Sequence, residues 1–298
     1  MNTLLILGGT SEARELAQML TNSQKRRIIY SLAGVMAPNQ AREDALSQRG
    51  VTIRRGGFGG TAGLCDFLER ERIKGVIDAT HPFAQNMAKN AVMAARQIKC
   101  KWAKIWRTPW AVETSENLQL LPNIAASAVK LWSHNLAATD KDGLSGQTPP
   151  PPLRRIFLAL GVKGSSEWAT CWNSVRENAA AAQPEVIIAR TFAATPPPLP
   201  LTQPAITWLS AAPSTQKSEN TAISEEAALL QHYQIDLVIA RNSGGLKAEK
   251  LAAAHKLGCH TWLIERPDLA KLGLTRQEQQ NIFATPAQLC ASDWLGLS

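Results

Sequence analysis

The chain opens on an apolar run, Leu4 to Leu7, then turns through Gly8 and Gly9 into a segment whose apolar residues Ala13, Leu16, Ala17 and Leu20 recur at helical spacing. The short run bounded by glycine predicts a buried strand, and the recurrence predicts a helix with one face in the core. The alternation continues. Arg27 to Ser31 and Val51 to Arg54 read as further strands, and a helix resumes from about Thr61. Val76 and Ile77 belong to a fourth strand, Pro82 is placed to start a helix running to about Ile98, and Lys101 to Trp106 reads as a fifth strand. The later half repeats the pattern, with strands predicted near Arg154 to Leu160, Glu185 to Arg190, Ile235 to Ala240 and His260 to Ile264. Helices are predicted near Ser165 to Trp172, Ser224 to His232 and Gly245 to Leu257, and a helical pattern in the tail ends near Trp294. Strands alternating with helices predict an α/β protein: two Rossmann-like domains with mainly parallel sheets facing a central cleft.

Between the two series lies Asn135 to Pro152, rich in Gly, Pro and small polar residues. Such composition predicts an extended connection, so the expected division is residues 1–134, a linker or inserted loop at 135–152, and a second domain at 153–298. The run TFAATPPPLPLTQP from Thr191 cannot be helical and reads as an extended arm, and Ala211 to Asn220 reads as a loop.

Composition narrows the class. With 45% hydrophobic and 19% charged residues over 298 positions, the chain can bury a full core. No apolar run reaches the roughly 18 residues of a membrane span, and the opening strand follows no basic and apolar leader, so a cytoplasmic protein is expected with no membrane partner. The five cysteines are scattered and never spaced CxxC, which argues against a disulfide framework or a zinc site. A net charge of +8 favours acidic partners. Without a long basic block or an RNP-like aromatic motif, a small anionic ligand is favoured over nucleic acid. GxSxG, HExxH and GxxxxGK[ST] are all absent, which leaves serine hydrolases, zincins and P-loop nucleotidases without support.

Candidate chemistry gathers where strands end. In open parallel sheets, ligands bind outside the carboxyl ends of strands. Gly8, Gly9, Thr10 and Ser11 form a glycine turn leading into a helix N-terminus, which suits a phosphate or serves as a plain turn. Gly57 and Phe58 lie in RRGGFGG, a flexible turn or a backbone surface for a ligand. Asp78, Thr80 and His81 form a polar rim; His81 either donates or relays a proton, or only ties its turn together. Arg107 can fork onto a carboxylate and Trp110 can cover a planar ligand or anchor a core, while Lys163 and Arg190 are further carboxylate candidates. Asn242, Ser243, Gly244 and Gly245 offer a second polar loop that mirrors the first and, like it, is expected to hold cofactor phosphate or substrate, or else serves as a helix cap, and Lys247 reads as solvated. No acid ends the second strand, and Ser31 with Lys25, Arg26 and Arg27 would tolerate a 2′-phosphate, which favours NADPH over NADH.

Taken together, ILGGTSEAR, SLAG, GGFGG, IDATHPFA, RTPW, IARNSGG and HTWLIERP, in this order and spacing, resemble the precorrin-6A reductase and cobalt-precorrin-6A reductase family of corrin-ring biosynthesis. The likeness covers most of Leu4 to Pro267. It departs at Val35, at LGVKG from Leu160 and at Ala240-Arg241. The resemblance implies NAD(P)H-dependent hydride transfer to precorrin-6A in the cleft, giving the 6B form, with the substrate's peripheral carboxylates held by Arg and Lys. The alternative is an α/β module that binds a nucleotide or corrinoid without reacting it.

Overall fold

The computed structural model describes residues 2–21, 26–34, 40–139, 149–176, 183–191, 206–210, 218–245 and 248–296. The first run comprises β1 (Asn2–Leu7), α1 (Ser11–Thr21), β2 (Arg26–Leu32), α2 (Gln40–Ser47), β3 (Thr52–Arg55), α3 (Gly60–Arg70), β4 (Ile73–Asp78), α4 (Gln85–Ile98) and β5 (Lys101–Ile105). There follow β6 (Leu118–Leu121), α5 (Ile124–Ala137), β7 (Arg155–Ala159), α6 (Gly161–Arg176), β8 (Val186–Thr191) and β9 (Ile206–Ser210). Next come α7 (Glu219–His232), β10 (Leu237–Arg241), α8 (Glu249–Lys256) and β11 (His260–Ile264). The tail adds a 3₁₀ turn (Leu269–Leu272), α9 (Arg276–Gln279), β12 (Ile282–Phe283), α10 (Pro286–Ala291) and a last 3₁₀ turn (Asp293–Leu295).

Period-two alternation places Leu4 and Ile6 of β1 on one face of its sheet and Leu5 and Leu7 on the other. The first pair packs with α1 and the tail residues Leu289, Trp294 and Leu295, the second with α3 and α4. Because both faces are covered, the strand reads as a continuous apolar run. The helix α1 buries Ala13, Leu16, Ala17 and Leu20, the face that the spacing predicts.

All strand pairings described are parallel, in two six-stranded sheets ordered β12-β5-β4-β1-β2-β3 and β6-β11-β10-β7-β8-β9. Counting from β1 and from β7, both are the doubly wound order 3-2-1-4-5-6. They differ in the source of the outermost strand. The first sheet takes it from the tail, as β12, and the second from the segment that precedes its own first strand, as β6.

The chain divides into two compact units, Met1–Thr108 with Pro267–Ser298, and Pro109–Arg266. The crossing falls inside RTPW, after Thr108, rather than at 135–152. Residues from 109 onward belong with the second sheet because β6 pairs with β11, from Leu118 against Thr261 to Leu121 against Ile264. The stretch 135–152 starts inside α5, with Asn135 buried, and its residues 140–148 lie outside the described residues.

Four expected element starts move, one of them that of α6, which begins at Gly161 rather than near Ser165. His81 to Ala84 form a separate turn, closed by Ala84 N–H donating to the His81 carbonyl at 2.8 Å, so α4 begins at Gln85 rather than at Pro82. The helix after the NSGG loop begins at Glu249, because Gly244 and Gly245 hold left-handed φ values of 65° and 101°. Glu219 and Asn220 belong to α7, whose N-cap Ser218 accepts from Thr221 N–H. Residues 192–205 and 211–217, expected as an extended arm and a loop, and Lys247, lie outside the described residues.

Candidate active site

The strand order reverses between β1 and β4 in the first unit and between β7 and β10 in the second, and such reversals open the crevices in which doubly wound folds bind ligands. In the first unit the β1–α1 turn carries Gly8 to Ser11. Gly9 adopts φ 108°, and a Cβ on Gly8 would fall 2.4 Å from the Tyr30 ring, so each glycine is demanded by geometry. Gly8 N–H donates to the Ser31 carbonyl at 2.8 Å and Gly9 N–H to the Tyr30 hydroxyl at 3.2 Å. Thr10 caps α1, accepting from Ala13 N–H at 3.1 Å, while its hydroxyl donates to the Ala79 carbonyl at 2.7 Å. This lashes the turn to the end of β4. Ser11 donates to Glu12.

Arg107 donates from Nη1 to both oxygens of Glu12, each at 2.9 Å. Its carboxylate partner is thus within the protein. Burial alone would raise the Glu12 pKa, but the Arg107 charge and hydrogen bonds from its own backbone, Arg107 and Ser11 leave it lowered. Behind this pair, Thr10, Ala79, Thr80 and Pro82 leave only about 10 Å³, roughly room for one water.

Asp78 is fully buried, and both of its oxygens are engaged. One accepts from Lys104 Nζ at 2.5 Å, and the other from the Thr80 hydroxyl at 2.6 Å and Thr80 N–H at 3.0 Å. It stands opposite Lys104 in the β4–β5 register. Asp78 therefore positions Thr80 and the following turn, and does not face a ligand. Thr80 and His81 are half-buried. His81 Nδ1 accepts from Phe83 N–H at 3.3 Å, which leaves the ring proton of the neutral imidazole on Nε2. It holds the turn while carrying a donor.

At the end of β3, Arg54 organises the glycine-rich loop. Its guanidinium donates to the Gly56 and Gly57 carbonyls at 2.6 and 2.7 Å and lies 3.8 Å from the Phe58 ring centroid, while Phe58 packs edge-on against Phe67 at 5.2 Å. Gly57 is exposed and Phe58 half-buried. Arg54 also reaches the Ser31 hydroxyl at 3.3 Å. Arg26 and Arg27, expected near a 2′-phosphate, begin β2 at its amino end and bond to the Leu295 carbonyl and to Glu71, and Lys25 lies outside the described residues. The cations at the carboxyl end of β2 and β3 are instead Arg54, Arg55, which pairs with Glu43, and, beside Tyr30, Arg14, with Arg42 next to Arg14. Burial and then the charge of Arg14 lower the Arg42 pKa. Burial, opposed by the Gly9 N–H bond and by Arg14 and aided by the Glu43 charge, raises that of Tyr30.

In the second unit, Asn242, Ser243, Gly244 and Gly245 follow β10, the counterpart of β4, so they correspond to the Thr80–His81 rim and not to Gly8 to Ser11. The counterpart of the first turn is Gly161 to Gly164, after β7. There Lys163 is exposed in the first turn of α6, and the Arg241 guanidinium fills the space that a Cβ on Gly164 would need, 2.5 Å away. Burial lowers the Arg241 pKa against the opposing charge of Glu167. Asn242 clamps Trp110, accepting from its N–H at 2.9 Å and donating to its carbonyl at 3.3 Å, and the Trp110 indole N–H donates to the Gly245 carbonyl at 3.2 Å. Trp110 is therefore the brace of this loop. Arg190 pairs with Glu226 through both nitrogens of its fork, over the Phe157 ring. Like Arg107, it spends its charge internally.

Tyr30, Glu12, Lys104, Arg14, Arg42 and Arg54 escaped the sequence reading. Lys104 alone left a signal, a lysine in the interior of β5 between apolar neighbours, where burial calls for an acid partner. Among the described residues no group of three metal-ligating side chains forms, and no helix is long and apolar enough to cross a membrane.

The family model described as precorrin-6x reductase CbiJ/CobK matches residues 3–292. The chain is 34% identical over 268 residues to the precorrin-6A reductase of Rhodobacter capsulatus, spanning 90% of this chain and 89% of that one. It is 31% identical over 264 residues to that of a Sinorhizobium species, spanning 88% and 84%. A cobalt-precorrin-6A reductase of Priestia megaterium is 30% identical over 126 residues, 42% of this chain and 46% of that one. The solved structure of a CobK precorrin-6A reductase shares 32% identity at a TM-score of 0.72, covering 99% of this chain and 96% of that chain. With a family model over nearly its whole length and relatives matched end to end, this chain belongs to the precorrin-6x reductase family.

Proposed function

We propose that this protein reduces precorrin-6A to its 6B form in cobalamin biosynthesis, using NADPH. Membership of the reductase family carries the reading, and two doubly wound sheets with polar groups at their reversal points agree with it. The nicotinamide supplies a hydride to one carbon of the conjugated macrocycle, and a proton is added at the adjacent carbon. The protein holds the two partners face to face and excludes water.

The β1–α1 turn is the cofactor loop in this reading. The first N–H groups of α1 face the pyrophosphate, and Arg14, Arg42 and Arg54 attract a 2′-phosphate at the end of β2 and β3. No acid ends β2 itself, and Glu43, the acid beside Tyr30, is engaged by Arg55 at the end of β3, which supports NADPH over NADH. Thr80 and His81 line the reaction rim, with Asp78 and Lys104 fixing them from behind. In the second unit, Asn242 to Gly245, braced by Trp110, and the Gly161 to Gly164 turn are that unit's own ligand loops, for cofactor phosphate or substrate. The relatives aligned over 84% or more of their length are named precorrin-6A reductases, whereas the relative named a cobalt-precorrin-6A reductase aligns over less than half, which favours precorrin-6A over its cobalt counterpart.

Purified protein with precorrin-6A should consume NADPH absorbance in proportion to the tetrapyrrole added, and faster with NADPH than with NADH. Tetrapyrrole binding without oxidation of either cofactor would favour a binding module, and binding of neither ligand would overturn both.

A further inference from the structure

Beside the reaction rim, the first unit carries a cavity of about 280 Å³ that none of these roles uses. It lies between the His81–Ala84 turn, the start of α4, the end of β5 and the Pro267–Leu272 return. Its apolar walls are Pro82, Trp106, Leu269 and Leu272, and Lys89, Lys104 and Lys271 line it too. Lys89 and Lys271 are exposed, whereas Lys104 is fully buried, its ammonium 5.2 Å from the Trp106 ring centroid. One of the three Lys104 donors goes to Asp78. The acid in the lining, Asp268, turns its carboxylate onto the N–H of Ala270 at 2.8 Å. Cations are therefore in excess around an apolar slot.

We propose that this cavity receives one carboxylate-bearing side arm of the substrate. Its methylenes lie against Trp106, Leu269 and Leu272, and its carboxylate is drawn by Lys89 and Lys271 above Lys104. At about 280 Å³ the slot falls just below the roughly 300 to 1,000 Å³ of pockets that enclose a whole small molecule, so it takes an arm and leaves the macrocycle outside. Seating an arm here would fix the ring's register beside Thr80 and His81. The inference rests on tetrapyrrole reduction as proposed above.

The test pairs steady-state kinetics with equilibrium binding of precorrin-6A alone, followed by tryptophan quenching. Because Lys89 and Lys271 are exposed, the double variant K89Q/K271Q should fold, and Lys74→Gln, at the opposite end of β4, combined with Lys256→Gln at the end of α8, controls for the same loss of two charges. The double variant should raise both the KM and the Kd for precorrin-6A about fivefold, as expected for two solvent-facing charges, with a smaller change in kcat and none in the Kd of NADPH. Added salt should weaken substrate binding to the native protein more than to the variant. An unchanged KM and Kd in the variant, or an equal loss in the K74Q/K256Q control, would overturn the assignment while leaving the reductase intact. Native protein that binds precorrin-6A without oxidising NADPH would overturn the reductase reading, and the ratio of Kd values would still decide the cavity's role. If the native protein binds no precorrin-6A, both fall.

Discussion

At the scale of single residues, the site is built from pairs that neutralise each other. Asp78 with Lys104, Glu12 with Arg107 and Arg190 with Glu226 each turn a candidate ligand group into a fixed strut. A buried pair stripped of one partner leaves an uncompensated charge, which costs about 3 to 5 kcal/mol. Lys104→Met should lower stability by about that amount in chemical denaturation, and combining it with Asp78→Asn should recover part of the loss; additive losses would show that the two do not interact. His81 combines two roles. His81→Ala should reduce turnover and, by freeing the Phe83 N–H, cost about 1 kcal/mol of stability. His81→Gln can still donate a hydrogen bond but cannot relay a proton near neutrality, so retained turnover in that variant assigns His81 to positioning, and loss comparable to His81→Ala assigns it to proton transfer.

At the scale of elements, the tail completes the first unit. The strand β12 adds the outermost position beside β5, Trp294 donates from its indole to the Trp102 carbonyl at 3.0 Å, and Arg96 on α4 grips Glu278 on α9 at 2.6 and 2.7 Å. The Arg96 hydrogen bonds, with those of Thr275 and against the opposing effect of burial, hold the Glu278 pKa down to about 2. A carboxylate lowered from its ordinary 4.5 stabilises the fold above that value and loses its contribution as the pH falls towards 2. Melting temperature should therefore fall over that window, and less steeply in Glu278→Gln; parallel profiles would refute the clamp. The elements of the first half were legible from apolar periodicity, because β1, β4 and α1 bury the residues that their patterns single out. Elements with weak patterns were not. α2 buries little, β6 and β9 are half-exposed, and β12 has two residues, so none presents a long apolar run. The crossing after Thr108 was hidden because it carries no glycine or polar linker, whereas the Pro-rich stretch at 135–152 lies within the span of the second unit.

At the scale of the whole molecule, the two sheets share one strand order although each takes its sixth strand from a different side of its own sequence. Motif order carried the family resemblance across this arrangement, since IDATHPFA and IARNSGG end equivalent strands, β4 and β10. The residue roles were less legible than the fold. Partners such as Glu12 and Arg107 are 95 positions apart, and no local pattern announces that a rim arginine is already paired. The central claim is hydride transfer from the nicotinamide to the macrocycle, and isotopic labelling tests it most directly. Precorrin-6A incubated with this protein and NADPH carrying deuterium at the transferable C4 position should give a product one deuterium heavier than that formed from unlabelled NADPH, with label on a ring carbon. A reduced product without deuterium, or labelled cofactor recovered unoxidised beside unchanged precorrin-6A, would contradict the account.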